Sequence, residues 1–553
     1  MPDMSPGSAF AKSTNAHITR WGRTRCVAIR KKRPRFAIAV ALSITAASLA
    51  IAAQPATDVT EQPPGEMSKA TPYSAANDNT PIAASATPEQ RSSEQSPTSA
   101  LYLAAKRMES APNWGHVEPR LHSGGGTSAS AASLGRQLYV SAQGQDTADG
   151  SIEHPYRSIA FGVSQLGAGD TLYITEGEYL QPAGGAVFSN SGTPDAPITV
   201  QGIGHVIVRG TESTTISGQT VASNYNPAFD TNGQSHLELK NFTVTNLRAA
   251  VEVAGPSEHV TISGVNADRS HFGILIDGAS NITVRDTVIT NCRDGIRTDA
   301  TNGNTPIKIL LENINVSGSK NIYPGWESAY RNGDGFIFEH GRDIIVRNSK
   351  SYDNWDSGFD IKASNVTLEK VDIFGNYHQG IKVWGSGVVL RDSLIRDTRS
   401  MNDDPVAPEG WGVNNRGGSI MFINTTFSNN HSSDIRTDNQ VGTPMTLIVN
   451  SIIARDITNG RLWQATSGSI TEANNIWYDR NAGGAGFPLD QSSVFADPKF
   501  RNWAAGDFRL EENSPAIDFG SNSYLIAPDD FGGDGRKFAA NVDAGAFEFS
   551  QQH

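Results

Sequence analysis

From about residue 200 onward, short runs of Val, Ile, Leu and Phe alternate with Gly, Asn and Asp. Within the runs the apolar positions recur every second residue, which puts one side of an extended strand inward. The segments "HFGILID", "RDGIRTD", "GDGFIFE", "DSGFDIK" and "HQGIKVW" align on Gly273, Gly295, Gly335, Gly358 and Gly380, at intervals of 22, 40, 23 and 22 residues. The first and third positions after each glycine are mostly apolar: Ile274 and Ile276, Phe336 and Phe338, Phe359 and Ile361, Ile381 and Val383. Each repeat carries a second run of the form "NITVRDTVI", "DIIVRNSKS", "NVTLEKVDI" or "GVVLRDSLI". Repeats of this length built only from short strands predict an all-β solenoid, the parallel β-helix. The Leu-x-x-Leu-x-Leu framework of leucine-rich repeats is missing. The 40-residue interval is one repeat plus an insertion, "GSKNIYPGWESAYRN", and residues 398–416 read as a second long insertion. Insertions in solenoids collect on one face, often the binding face.

The flanks differ. Ile159, Val163 and Leu166 fall at helical spacing and predict a short helix capping the N-terminal end of the solenoid. The tail, "DPKFRNWAAGDFRLEENSPAIDFG" to "VDAGAFEF", reads as closing coils, so the β-helix domain spans 136–550. Residues 54–135, rich in Ala, Ser, Thr, Pro, Gln and Asn, cannot bury a core and read as a disordered linker. Residues 1–53 hold a basic stretch ending in "RKKRPRF" and the apolar run "FAIAVALSITAASLAIAA". That pattern predicts an export signal cut near Ala52 or Ala53, hence a secreted or periplasmic protein with no stable membrane insertion. An uncleaved anchor is the alternative, since 18 apolar residues can just span a bilayer.

Charge and cysteine content narrow the function. The chain has a net charge of −12. Without residues 1–53, 36 of 45 Lys and Arg and 56 of 57 Asp and Glu remain, a net of −20. Non-specific nucleic-acid binding is excluded by that balance. An anionic substrate would need a local positive site or a bound cation. Only Cys292 remains beyond the apolar run, so no internal disulfide forms and the core must supply stability. A monomer is expected.

Equivalent positions of successive coils lie about 4.8 Å apart. The second position after each glycine points outward and reads Leu275, Arg297, Ile337, Asp360 and Lys382. The position before it reads Phe272, Asp294, Asp334, Ser357 and Gln379. This register gathers Asp334, Asp356 and Asp360 beside Lys382. Several carboxylates with little neutralising charge suit Ca²⁺, which takes six to eight oxygen ligands. No His/Cys spacing suggests zinc, and the EF-hand pattern is absent. The plainer alternative makes the aspartates turn formers and Lys382 a surface salt bridge of small value. Trp384 is either a sugar-stacking platform or a partly exposed aromatic.

Residues 331–385 resemble the family 9 polysaccharide lyases, which include pectate lyases, through "NGDGF" (332–336), "WDSGFD" (355–360) and "HQGIKVWG" (378–385). The stretch "LYVSAQGQDTADGSIEHPYRSI" resembles the start of many secreted right-handed β-helix proteins. The resemblance implies a right-handed solenoid, Asp334, Asp356 and Asp360 as calcium ligands, and Lys382 as catalytic base. Where the family usually has two adjacent aspartates, this chain has Asp356-Ser357; Asp353 or a backbone carbonyl is the expected substitute. The implied reaction is β-elimination on an anionic polysaccharide. Calcium would bridge a uronate carboxylate to the aspartates, neutral Lys382 would take the C5 proton, and the C4–O bond would break. Arg297 or Arg331 would hold a second carboxylate, unless they are solvated surface charges. Three readings compete: a glycoside hydrolase using two aspartates as acid and base, a C5-epimerase, and a non-catalytic polysaccharide-binding surface protein.

Overall fold

The structure is a computed structural model that describes residues 135–550, except 182–183, 211, 217–218, 223–225, 302, 321–332, 401–409, 459, 526 and 537–539. The expected export signal, the expected linker up to residue 134, and Arg331 lie outside the described residues. Among the described residues no helix is long and apolar enough to cross a membrane.

The alternating runs pair in parallel from coil to coil. One wall, here the site sheet, has eleven strands among the described residues, from Ala186–Val187 to Arg461–Ala465. Its inward ladder, Ile274, Ile296, Phe336, Phe359, Ile381, Val413 and Ile435, is completely buried. The Phe336 and Phe359 rings stack 4.5 Å apart and 3° from parallel. Each such side chain contributes about 1.5–3 kcal/mol by leaving water. The repeating glycines mark a bend at which two successive residues face inward. A Cβ on Gly358 would lie 2.7 Å from Gly380 O and from Ile373 Cγ2, so a side chain has no room. The residue before the glycine and the second one after it therefore face outward.

The remaining wall is a second parallel sheet. Its coils between residues 237 and 317 use long strands such as Glu258–Asp268, Ser280–Thr290 and Ile307–Ser317. From Arg342–Arg347 and Lys350–Tyr352 onward the same path is split into two strands per coil. Left-handed residues mark the bends: Gly264, Asp286, Asn313 and Asn348, with φ between 52° and 63°. Asn and Asp tolerate this region better than other side chains do. A further column of such turns contains Asn291, Gly318, Asp353, Gly375 and Asp397. Turn formation thus accounts for much of the Asn and Asp content.

A helix, Ile159–Ser164, begins at Ser158, whose hydroxyl accepts from Phe161 N. It packs so closely on the first coils that a Cβ on Gly162 would meet Val140 and Leu172 within 3.0 Å. Leu166 is buried but lies past the helix end.

Two expectations change. Residues 398–416 are not all insertion: Trp411–Asn415 is the next strand of the site sheet, pairing with Gln379–Val383. Its inward third position is Asn415, which hid the apolar pattern. Nor is the tail a set of coils. Parallel pairing ends at Val494–Phe495, and Phe500–Asn502 pairs antiparallel with Asp507–Leu510. Phe500, Phe508 and Leu510 cover Leu394, Ile452 and Ile476. Arg536 then binds Asp392 at 2.7 Å and Glu548 at 3.1 Å. The tail lacks the repeat's alternation because it clothes a wall rather than extending it.

Candidate functional site

Three consecutive strands build the cluster. Asp334 precedes Phe336–Phe338, Asp356 and Asp360 belong to the coil of Ser357–Ile361, and Lys382 lies in Gln379–Val383. Register fixes their neighbours: Ile337 pairs with Asp360, and Asp360 with Lys382. Lys382 Nζ lies 3.2 Å from Asp360 Oδ2 and 4.0 Å from Asp356 Oδ2. All four side chains are buried, Lys382 being the most accessible at 7%.

Ser357 is a donor between the carboxylates. Its backbone N–H donates to Asp334 Oδ1 at 3.0 Å, and its hydroxyl to Asp356 Oδ1 at 3.3 Å. Gln379 Nε2 donates to the same Asp356 oxygen at 2.7 Å, and His378 Nδ1 stands 3.5 Å from it. On the far side, Lys362 reaches Asp360 Oδ2 at 3.4 Å and Glu339 at 2.7 Å. Asp360 Oδ1 is buried without a hydrogen-bond partner among the described residues.

The carboxyls are pushed apart in acidity. Burial, then the charges of Asp356 and Asp360, hold Asp334 well above the ordinary carboxylate range. Burial alone would raise Asp356 too. The Lys382 charge and the hydrogen bonds from His378 and Gln379 outweigh it and hold Asp356 below that range. Two interacting carboxyls are thus shifted in opposite directions, and their titration belongs to the pair.

Sequence reasoning passed over Asp294. It is completely buried and stands one coil before Asp334 in the outward column. Its charge adds to the rise at Asp334. Arg293 binds it at 2.7 Å and Arg297 at 3.6 Å. The signal was present, since Asp294 precedes a repeat glycine as Asp334 does.

The other expected residues are placed differently. The Asp353 carboxylate is half exposed, sits in a left-handed turn and pairs with Arg399 at 3.0 Å. Arg297 lies on the outward column, engaged by Asp299 at 2.9 Å, Asp294 at 3.6 Å and Glu339 at 3.8 Å. Trp384 stands beside the lysine, its ring centre 5.8 Å from Lys382 Nζ.

As a cation site, the cluster offers hard oxygen donors, Asp334, Asp356 and Asp360, and Asp360 Oδ1 has no hydrogen-bond partner among the described residues. Among the described residues no group of three or more His, Cys, Asp or Glu already surrounds a common point. Lys382 supplies the positive charge between the carboxylates as they stand.

The buried lysine and the carboxylates around it lie on the outer wall of a parallel β-helix. The chain belongs to the Pel9A-like right-handed β-helix family, whose model matches residues 138–432 and so includes the whole cluster. It is 23% identical over 470 residues to "Uncharacterized protein YwoF" of Bacillus subtilis (strain 168), covering 70% of this chain and 94% of that protein. It is 26% identical over 233 residues to pectate lyase PEL9 of Emericella nidulans, covering 42% of this chain and 50% of the relative. Among solved structures, pectate lyase Pel9A matches with a TM-score of 0.47 and 17% identity, over 76% of this chain and 97% of that one. XylC in complex with xylose matches with a TM-score of 0.52 and 11% identity, over 74% of this chain and 98% of that one, a likeness of fold alone.

Proposed function

We propose that the protein is a secreted polysaccharide lyase that cleaves a uronate-containing polymer by β-elimination, with Lys382 as base. The observation that carries this reading is the register placing Lys382 Nζ 3.2 Å from Asp360 within the family-matched segment. Asp334, Asp356 and Asp360 are the residues that would hold calcium. When bound, the ion would neutralise a uronate carboxylate and favour loss of the neighbouring C5 proton. Lys382 would receive that proton on Nζ once it has released to solvent the proton that makes it the ammonium paired with Asp360. Its site, 7% exposed, excludes most water from the transfer.

The test is a panel of uronate polymers, assayed by the ultraviolet absorbance of unsaturated products with and without a calcium chelator. The expected result is chelator-sensitive product from at least one polymer, abolished by Lys382→Ala. Absence of signal on every polymer sinks the proposal. One observation favours a hydrolase instead: Asp334 and Asp356 are driven toward opposite protonation states, as an acid and a base require. Reducing ends released without unsaturated product would establish that reading.

A further inference from the structure

Two lysines hold Asp360 by the same oxygen. Lys382 Nζ lies 3.2 Å from Asp360 Oδ2, and Lys362 Nζ lies 3.4 Å from it. The reaction drawn above uses Lys382 and gives Lys362 no part. Register explains how Lys362 comes to be there. Phe338 pairs with Ile361 and Ile361 with Val383, so the residues that follow them, Glu339, Lys362 and Trp384, stand on successive coils. The Lys362 N–H donates to Phe338 O at 2.9 Å, which keeps this column in step past the strand end. Lys362 therefore lies between a carboxylate of its own coil, Asp360, and one of the coil before, Glu339, which it reaches at 2.7 Å.

The two lysines differ in their freedom. Lys382 is buried inside the cluster. The Lys362 side chain is 34% exposed, on a flexible four-carbon stem. Letting go of Asp360 would cost Lys362 its longer contact and leave the shorter one to Glu339 in place. A divalent cation on Asp334, Asp356 and Asp360 needs that release. An ammonium at Oδ2 occupies an oxygen the ion would use, and it repels the ion. The affinity of an oxygen site for such an ion follows its charge count, so an ammonium held among the ligands lowers it. The other oxygen of the same carboxylate, Asp360 Oδ1, is buried with no hydrogen-bond partner among the described residues.

We propose that Lys362 is a tethered counter-ion for Asp360, displaced to Glu339 alone when a divalent cation arrives, and that this exchange sets how tightly the cation is held. Without the cation, Lys362 offsets charge in the carboxylate cluster. With it, Lys362 is kept close by Glu339 and returns when the cation leaves. The inference rests on the lyase reading for the presence of a cation at the cluster. It adds that binding is weaker than the three aspartates alone would make it.

Calcium chloride is titrated calorimetrically into the metal-free full chain and into Lys362→Met, Lys362→Gln, Lys362→Arg and Glu339→Gln. Lys362→Met and Lys362→Gln should each bind calcium about tenfold more tightly than the unsubstituted chain. Calcium should also raise their unfolding temperatures further. Lys362→Arg keeps the charge and should show no such gain. Glu339→Gln should weaken calcium binding, because the displaced ammonium loses its second partner. The same substitution should matter less once Lys362→Met is present. Calcium affinity unchanged or lower in both neutral variants overturns the proposal, as does an equal gain in Lys362→Arg. Absence of calcium binding in every variant also overturns it. Chelator-sensitive unsaturated product with no gain in the neutral variants removes the counter-ion role and leaves the lyase reading standing. A tenfold gain with no product from any polymer does the reverse.

Discussion

Replacing Lys382 in two ways separates its charge from its proton chemistry. At 3.2 Å from Asp360, an ammonium is attracted by about 5 kcal/mol at an effective dielectric of about 20. At 4.0 Å, Asp356 adds about 4 kcal/mol on the same scale. Desolvation offsets much of this, and removing one partner of a buried pair costs about 3–5 kcal/mol net. Lys382→Met should therefore destabilise the protein by that amount near neutral pH. The loss should shrink in acid, where Asp356, freed from its main acidifying neighbour, takes up a proton. Lys382→Arg retains a cation, so most of the stability should remain. A guanidinium cannot be deprotonated in a protein, so it cannot act as base. Its turnover should fall by about 10²–10⁴, the usual contribution of general-base catalysis. The assay pairs denaturant unfolding with initial rates of unsaturated-product formation on the same preparations. An arginine variant keeping a tenth or more of the rate refutes the base assignment. A methionine variant as stable as the unsubstituted chain refutes the buried pairing.

Calcium should raise the unfolding temperature more as pH increases, because Asp334 holds its proton above the ordinary carboxylate range and a cation takes only the carboxylate; equal shifts at low and high pH would contradict this. Asp434→Ala should cost about 3–5 kcal/mol in denaturant unfolding, since it strands Arg455, paired at 3.0 Å with both side chains fully buried. Adding Arg455→Met should recover most of that loss, and a double variant no better than the single one would show that the pair is not the cause. Burial, then the Glu548 charge, raises Asp543 from 3.8 to about 7. Between those values the folded protein keeps a proton that the unfolded chain has lost. This group's stabilisation is thus complete below about pH 4 and gone above pH 7, a change of about 4 kcal/mol. Asp543→Asn should gain on the unsubstituted chain as pH rises through that window; a difference independent of pH would refute the assignment.

The repeat was legible wherever its glycine carried apolar residues one and three positions on. Gly273, Gly295, Gly335, Gly358 and Gly380 gave the coils, and the outward column followed from them. Past Gly380 the code changes. Gly412 is followed by Val413 and Asn415, and the next coil has Asp434 where a glycine stood. Asp434 faces inward and is tolerated there because Arg455 and Asn430 satisfy it. A buried ion pair between distant residues leaves no periodic trace, so these coils were hidden. Asp353 misled for the opposite reason: its neighbours in sequence are site residues, but its neighbours in the stack are turn residues. In a solenoid the column a residue occupies says more than its distance along the chain.

Ser357 shows how the cluster's composition and its charge balance constrain each other. Within the cluster itself, three buried carboxyl groups stand against one ammonium, and the crowding raises the proton affinity of Asp334. A carboxylate at Ser357 would add a further negative charge against Asp356 and remove the hydroxyl that donates to it. Gln379, which donates to both Asp356 Oδ1 and Ser357 Oγ, would then bridge two like charges instead of a charge and a hydroxyl. Such a site would need a cation or a further proton to offset the added charge. With serine, the carboxylates are stabilised by Lys382, the Ser357 donors and Gln379. The departure from the two-aspartate pattern and the close approach of Lys382 to Asp360 are thus two sides of one electrostatic arrangement.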